Sequence, residues 1–225
     1  MSDNITEDFF IVDDDQPLSI PSDNKNQIRR FWMKAGTKAR VLFLTNSPIT
    51  FYEHQGLPNG MSKWPISLTC LSPLKKPCPI CDFVTKNSDQ YKFRAKKCRA
   101  YSIINLTEWK DKQGNIHKDE KQLFIVNNNK VDELLNIAKM TAVAQGKSSF
   151  RGLIVDIIRT SESTSPNVGS AFIPTDWKDL GNDPQFAELD YREILKPQPE
   201  KLQELAQVLS LRTTPQQEQK PINFG

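Results

Sequence analysis

Residues 75–83 read KKPCPICDF. Cys78 and Cys81, two residues apart, can serve as a redox pair, as half of a metal site, or as inert core thiols. Redox Cys-x-x-Cys motifs sit where a strand meets a helix in a βαβ setting. The flanks here read instead as turns and short antiparallel strands, so the redox reading is the weaker one. Metal binding gains from Cys70 and His54, which give the pattern His-x15-Cys-x7-Cys-x2-Cys. Zinc takes four tetrahedral nitrogen and sulfur ligands in structural sites. A turn stiffened by Pro79 offers both thiolates to one ion, with the Ile80 amide free to bond back toward the Cys78 sulfur. Lys75 and Lys76 partly offset the charge of three thiolates. Four protein ligands leave no open position, so His54, Cys70, Cys78 and Cys81 predict one structural Zn2+ and no hydrolysis. The competing reading is three buried cysteines and a surface histidine. Cys98 reads as a free core thiol, with replacement of His54 as ligand the alternative. His117 lies in a polar turn and is expected to be exposed.

A second set of residues suits nucleic acid. In RRFWMK, Arg30, Trp32 and Lys34 point one way and Phe31 and Met33 the other. On the strand KCRAYSIINL, Arg99, Tyr101 and Asn105 are expected to face away from the core. Tyr52 and Trp64 flank the cysteine loop. Trp109, Lys63, Arg94, Lys96, Lys97, Lys110 and Lys112 extend the set. Bases stack on aromatic rings while cations follow the phosphates, at roughly 1–3 kcal/mol per base and without reading sequence. Core packing is the alternative for each aromatic taken singly; Trp32, Tyr101 and Trp109 have the most polar neighbours.

The elements that must position these groups are mostly short strands: RRFWMK, ARVLFLT, PITFYEHQ, KWPISLTC, KCRAYSIINLTEW, KQLFIVNN, GLIVDIIRT and GSAFIPT. Residues 70–82 read as a loop, and DFVTKNSDQYKFR as a short helix. A helix at 130–145 carries Val131, Leu134, Leu135, Ala138 and Ala142 on one face. Another at about 199–210 starts on Pro199. The pattern predicts a mainly β fold with α: an OB-fold, the five-stranded Greek-key barrel, with a zinc-binding subdomain and one or two packing helices. An open α+β sheet is the alternative. The expected division is an acidic flexible arm at 1–26, a core at 27–211 with a zinc insertion at about 54–97, and a flexible tail at 212–225.

Charge is divided unevenly. The 225-residue chain carries a net +3, but residues 1–26 are −6, residues 27–112 are +11 and the remainder is −2. A basic block beside an acidic arm outlines a polyanion binder. No stretch of about 18 apolar residues exists to span a membrane. The acidic N-terminus is unlike a secretory signal, so a place inside a cell is expected. Enzyme motifs are missing: there is no Gly-rich phosphate loop, HExxH or GxSxG. Carboxylates are too sparse in the basic block for a two-metal nuclease.

RRFWMKAGTKARVLFLTNSPITFYEHQ resembles the opening of phage single-stranded DNA-binding proteins. Glu53-His54, Cys78-Pro79-Ile80-Cys81 and Arg99-Ala100-Tyr101 follow in that family's order, and DYREILKPQPEKLQEL (190–205) is similar to its ending. The resemblance covers about 29–210. It is also similar in logic to the T4-type helix-destabilising proteins, barrels with a His-and-three-Cys zinc insertion. It implies an OB fold, a zinc subdomain and a non-catalytic role coating single strands in phage DNA replication, recombination and repair, in the cytoplasm of the infected host cell. Many such proteins recruit replication or recombination partners through an acidic C-terminal tail. This tail is neutral, so the acidic N-terminal arm is expected to take that role or to shield the groove when DNA is absent. The alternative is a zinc-ribbon accessory factor of a transcription or replication complex, binding protein or RNA.

Overall fold

A computed structural model describes residues 11–12, 28–58, 65–110, 114–127, 129–144, 146, 150–162 and 166–213. In chain order its elements are β1 (Ile11–Val12), β2 (Arg29–Arg30), β3 (Lys38–Phe43), β4 (Ile49–Leu57), β5 (Ile66–Thr69), α1 (Pro79–Lys86), β6 (Lys96–Asn105), β7 (Trp109–Lys110), β8 (Ile116–His117), β9 (Glu120–Val126), α2 (Asn129–Ala144), β10 (Leu153–Ile158), β11 (Ala171–Trp177), α3 (Tyr191–Ile194) and α4 (Pro199–Thr213). The chain is thus mixed α/β. It divides into two compact units. The first holds the described residues up to Phe51 together with Lys97–Lys196. The second holds Tyr52–Lys96 and the described residues from Pro197.

The first unit is built on antiparallel ladders. β10 pairs with β3 on one side and β11 on the other. β3 pairs with β6 at Val41–Phe43, and β6 pairs with β9 along Arg99–Val126 to Asn105–Glu120. β1 adds to β4, Ile11 opposite Thr50. Among the described residues the sheet does not close into a barrel. The reason lies on the edge of β9, which is taken in parallel by β2, Arg29 opposite Gln122 and Arg30 opposite Leu123. Phe31 N–H continues along it, donating to the Leu123 carbonyl, whereas Met33 N–H leaves β9 and donates to the carbonyl of Asn167 between β10 and β11.

The core of this unit is aromatic. Phe43, fully buried, sits 4.3 Å from the ring of Phe150 and 5.7 Å from those of Tyr101 and Phe124. α2 closes over this cluster with Val131, Leu135 and Ala142, the stripe its periodicity predicts. Gly152 is needed where it stands: its φ is +91°, and a Cβ there would lie 2.1 Å from the Lys178 carbonyl oxygen.

β6 corrects the expected facing. Residues from Ala100 to Asn105 are all buried. Tyr101 and Ile103 enter the aromatic cluster, while Ile104 packs with Leu42, Leu44, Leu180 and Phe186. A strand covered on both faces shows no polar side, so alternation cannot rank its faces.

The second unit joins a hairpin to two helices. β4 and β5 pair with Glu53 opposite Thr69 and His54 opposite Leu68. Ile80 and Phe83 from α1 bury against Leu202, Leu205, Ala206 and Leu209 from α4, in a cluster that includes Cys70 and Cys78. The expected loop at 70–82 is partly helical: α1 starts at Pro79, with Cys78 as its N-cap residue. Pro at the first helical position is favoured because the amide it lacks would be unpaired there anyway. α4 runs on to Thr213, past the expected start of the tail. Apart from Ile11–Val12, the expected arm at 1–26 lies outside the described residues, as does the tail beyond 213. Among the described residues no helix is long and apolar enough to cross a membrane.

Candidate functional site

His54, Cys70, Cys78 and Cys81 converge within the second unit, with their ligand atoms all within 4.8 Å of one another. Each arrives differently. His54 points in from β4, and Cys70 follows the last residue of β5. Cys78 and Cys81 come from the cap and first turn of α1. Sulfur-to-sulfur separation is 3.5 Å for Cys70 and Cys81. His54 Nε2 is 3.3 Å from the Cys78 sulfur and 3.7 Å from that of Cys81. A tetrahedral ion with metal–sulfur bonds of about 2.3 Å and a metal–nitrogen bond of about 2.05 Å sets sulfurs about 3.8 Å apart and nitrogen about 3.6 Å from sulfur. These three separations match those edges to within a few tenths of an ångström, and the others stay within 4.8 Å. The cluster can therefore hold a metal ion.

The surroundings favour a thiolate at Cys78 and a fixed imidazole. The Nδ1–H of His54 donates to the Phe93 carbonyl at 2.7 Å, which leaves Nε2 as the ligand nitrogen. The Ser72 amide donates to the Cys70 sulfur at 3.4 Å, and the Ser72 hydroxyl lies 3.3 Å from the Cys81 sulfur. The α1 N-terminus adds its partial positive charge beside Cys78 and Cys81. Burial opposes a charged His54, but the bonds from Cys78, Cys81 and the Phe93 carbonyl outweigh it and push its pKa up to about 10. Bonds from Cys70 and Cys81 hold the Cys78 thiol far below the usual thiol range. Cys70 and Cys81 are raised in turn, chiefly by bonding within the sulfur group. Ionic Cys78 beside a positive His54 is the charge pattern a divalent cation would replace.

All four cysteines are free thiols, and Cys98, fully buried in the first unit, lies outside the metal cluster. Ser72 was not legible as a site residue. An ordinary Leu-Ser-Pro turn becomes an outer-shell contact only after the fold closes.

The expected nucleic-acid residues fare unequally. In the first unit, Arg30, Lys34, Lys97 and Lys110 are exposed, and Trp32 is 60% exposed. Arg99 forms an ion pair with Asp132 from α2. Tyr101 is only 4% exposed and belongs to the core, so its ring is unavailable for stacking on a base. Trp109 is half-buried, 4.3 Å from the His117 ring in a stacked pair, with the Arg29 guanidinium 5.1 Å from its centroid. His117 is thus a packing partner, against the expectation of simple exposure. In the second unit, Arg94 and Lys96 are exposed, while Tyr52 is half-buried against the core near the cysteines. Lys63, Trp64 and Lys112 lie outside the described residues.

Neither the protein-family models nor the curated proteins compared with this chain match it.

Proposed function

We propose that this protein binds single-stranded DNA with little sequence preference, without catalysis, and carries one structural zinc ion. The observation that carries this reading is Trp32. A tryptophan ring 60% open to solvent stands between exposed Arg30 and Lys34, on the segment that lines the edge of β9. An exposed indole buries its large apolar surface against something flat, and the flanking cations select a polyanion. The ladder order supports an OB-type scaffold, a partly open Greek-key barrel. β3, β6 and β9 stand in sequence, β10 pairs back to β3, β11 pairs to β10, and α2 comes between β9 and β10. Oligonucleotides bind OB-folds on strands two and three and on the loops joining strands one to two and four to five. Here the first of those connections carries the metal cluster and the second begins at Arg159.

Zinc suits the donor set of one imidazole and three thiolates, which offers no hard oxygen ligand. With every position filled by protein, the ion holds the second unit together rather than activating water. The +11 block, the acidic arm and the sequence resemblance support a role in coating single strands during phage replication, recombination and repair in the infected cell. In that role the acidic arm meets replication or recombination proteins. Filter binding with poly-dT and duplex DNA of equal length, at low and high salt, tests the reading. Tight, salt-sensitive retention of poly-dT is expected; equal or no retention of both would reject it and favour the accessory-factor alternative.

A further inference from the structure

Arg159 is 92% buried, with a relative exposure of 8%. A guanidinium cannot shed its charge by losing a proton, so burying one demands compensation. Three other arginines of this unit show the usual solution. Arg40 meets Asp156 through two bonds of 2.6 and 2.9 Å, Arg99 meets Asp132, and Arg29 lies 3.7 Å from Glu120. Arg159 is more deeply buried than any of these, and no carboxylate among the described residues pairs with it. Its Nη1 donates to the Met33 carbonyl, and its guanidinium carbon lies 5.8 Å from the centre of the Trp32 ring. Its Nε has no partner among the described residues.

The backbone keeps this cation in place. The Arg159 amide donates to the Thr37 carbonyl at 2.9 Å, and Gly36 N–H returns a bond to the Arg159 carbonyl at 3.1 Å. Gly36, at φ +74°, supplies the turn between exposed Lys34 and Lys38. Among the described residues, this buried cation under an exposed ring has no anion beside it.

We propose that Arg159 and Trp32 form one nucleotide subsite. The guanidinium takes a backbone phosphate of a single-stranded polynucleotide, and the open face of the indole takes the neighbouring base. The ring is itself mostly exposed, so a change of one side-chain rotamer uncovers the cation, a common adjustment on binding. This inference rests on the single-strand-binding function proposed above and adds to it a residue of the connection between β10 and β11.

The test titrates the full chain against a fluorescein-labelled oligothymidylate of about 20 nucleotides, at several salt concentrations between about 50 and 200 mM. Arg159→Met is expected to lose about tenfold in affinity, as for a lost hydrogen bond to a charged group. Its salt dependence should be shallower by about 0.7 in log–log slope, the signature of one phosphate contact on a single strand. Trp32→Ala is expected to lose about tenfold with an unchanged slope, because stacking releases no counterion. A folded Arg159→Met with wild-type affinity and slope overturns the subsite while leaving the broader function standing. If circular dichroism shows Arg159→Met unfolded, the decision passes to Trp32→Ala and Arg159→Lys. Losses in both, with the slope kept, support the subsite; wild-type binding by both overturns it. A wild-type chain that binds no oligothymidylate rejects the function and the subsite together.

Discussion

His54 and Phe93 are joined by a 2.7 Å hydrogen bond from the ring Nδ1–H to the backbone carbonyl, across 39 residues of sequence. That bond chooses the tautomer and points Nε2 at the sulfurs of Cys78 and Cys81. The imidazole is wholly buried and cannot turn away.

Removing the proposed ion, or His54, should therefore loosen the second unit. At free metal about 1,000 times Kd, linkage supplies about 4 kcal/mol. At about 2–4 °C per kcal/mol for a chain of this size, chelation is expected to lower Tm by roughly 10 °C. His54→Ala should purify with well under a stoichiometric ion by elemental analysis, whereas Cys98→Ala should keep it. A His54→Ala protein with full metal content would exclude His54 as a ligand.

Ser72 touches two of the ligand sulfurs without itself belonging to the cluster. Ser72→Ala removes the hydroxyl and keeps the amide. Metal affinity, read by competition with a chromophoric chelator, should fall roughly 10- to 100-fold, the range for lost outer-shell partners. The metal-free protein should melt as the metal-free wild type does. An affinity unchanged within error would mean that the hydroxyl is a bystander.

Tyr101 packs on Phe43, Phe124 and Phe150. Tyr101→Ala is expected to cost about 3–5 kcal/mol in urea unfolding, the range for a large aromatic lost from a core. Any loss of DNA binding should follow the loss of folded protein. A stable Tyr101→Ala protein with a specific binding defect would contradict its assignment to the core.

Glu188 adds a pH dependence. Burial pushes its carboxyl up from 4.5 to about 7, against the opposing Arg151 charge and a bond with Thr45. Between those two values the folded chain holds a proton that the unfolded chain has released. Stability therefore falls as pH rises through that window and stays reduced above it. Glu188→Gln removes the slope. It should be more stable than wild type at about pH 8, by roughly 1–3 kcal/mol, and should lose that advantage near pH 4.5. The same stability difference at both pH values would show that the carboxyl is not held up by burial.

Much of the site was legible one residue at a time. Thiols and an imidazole at suitable spacing point, without coordinates, to a cluster able to hold a metal, because few other arrangements of those groups repay burying them. The stripe on α2 and the alternation of Phe31 and Met33 with Arg30, Trp32 and Lys34 were equally readable, since helical and strand periods are properties of the local backbone. Tyr101 was not, because a period of two says that faces alternate and cannot say whether the second face is later covered. Closure of a barrel was not either. Whether β9 pairs with β11 or with β2 depends on which segment reaches that edge, a competition between contacts distant in sequence. Arg159 looked like any other cation in a basic chain. What sets it apart is burial with no carboxylate partner among the described residues, and burial is decided by everything packed around a residue rather than by the residue itself.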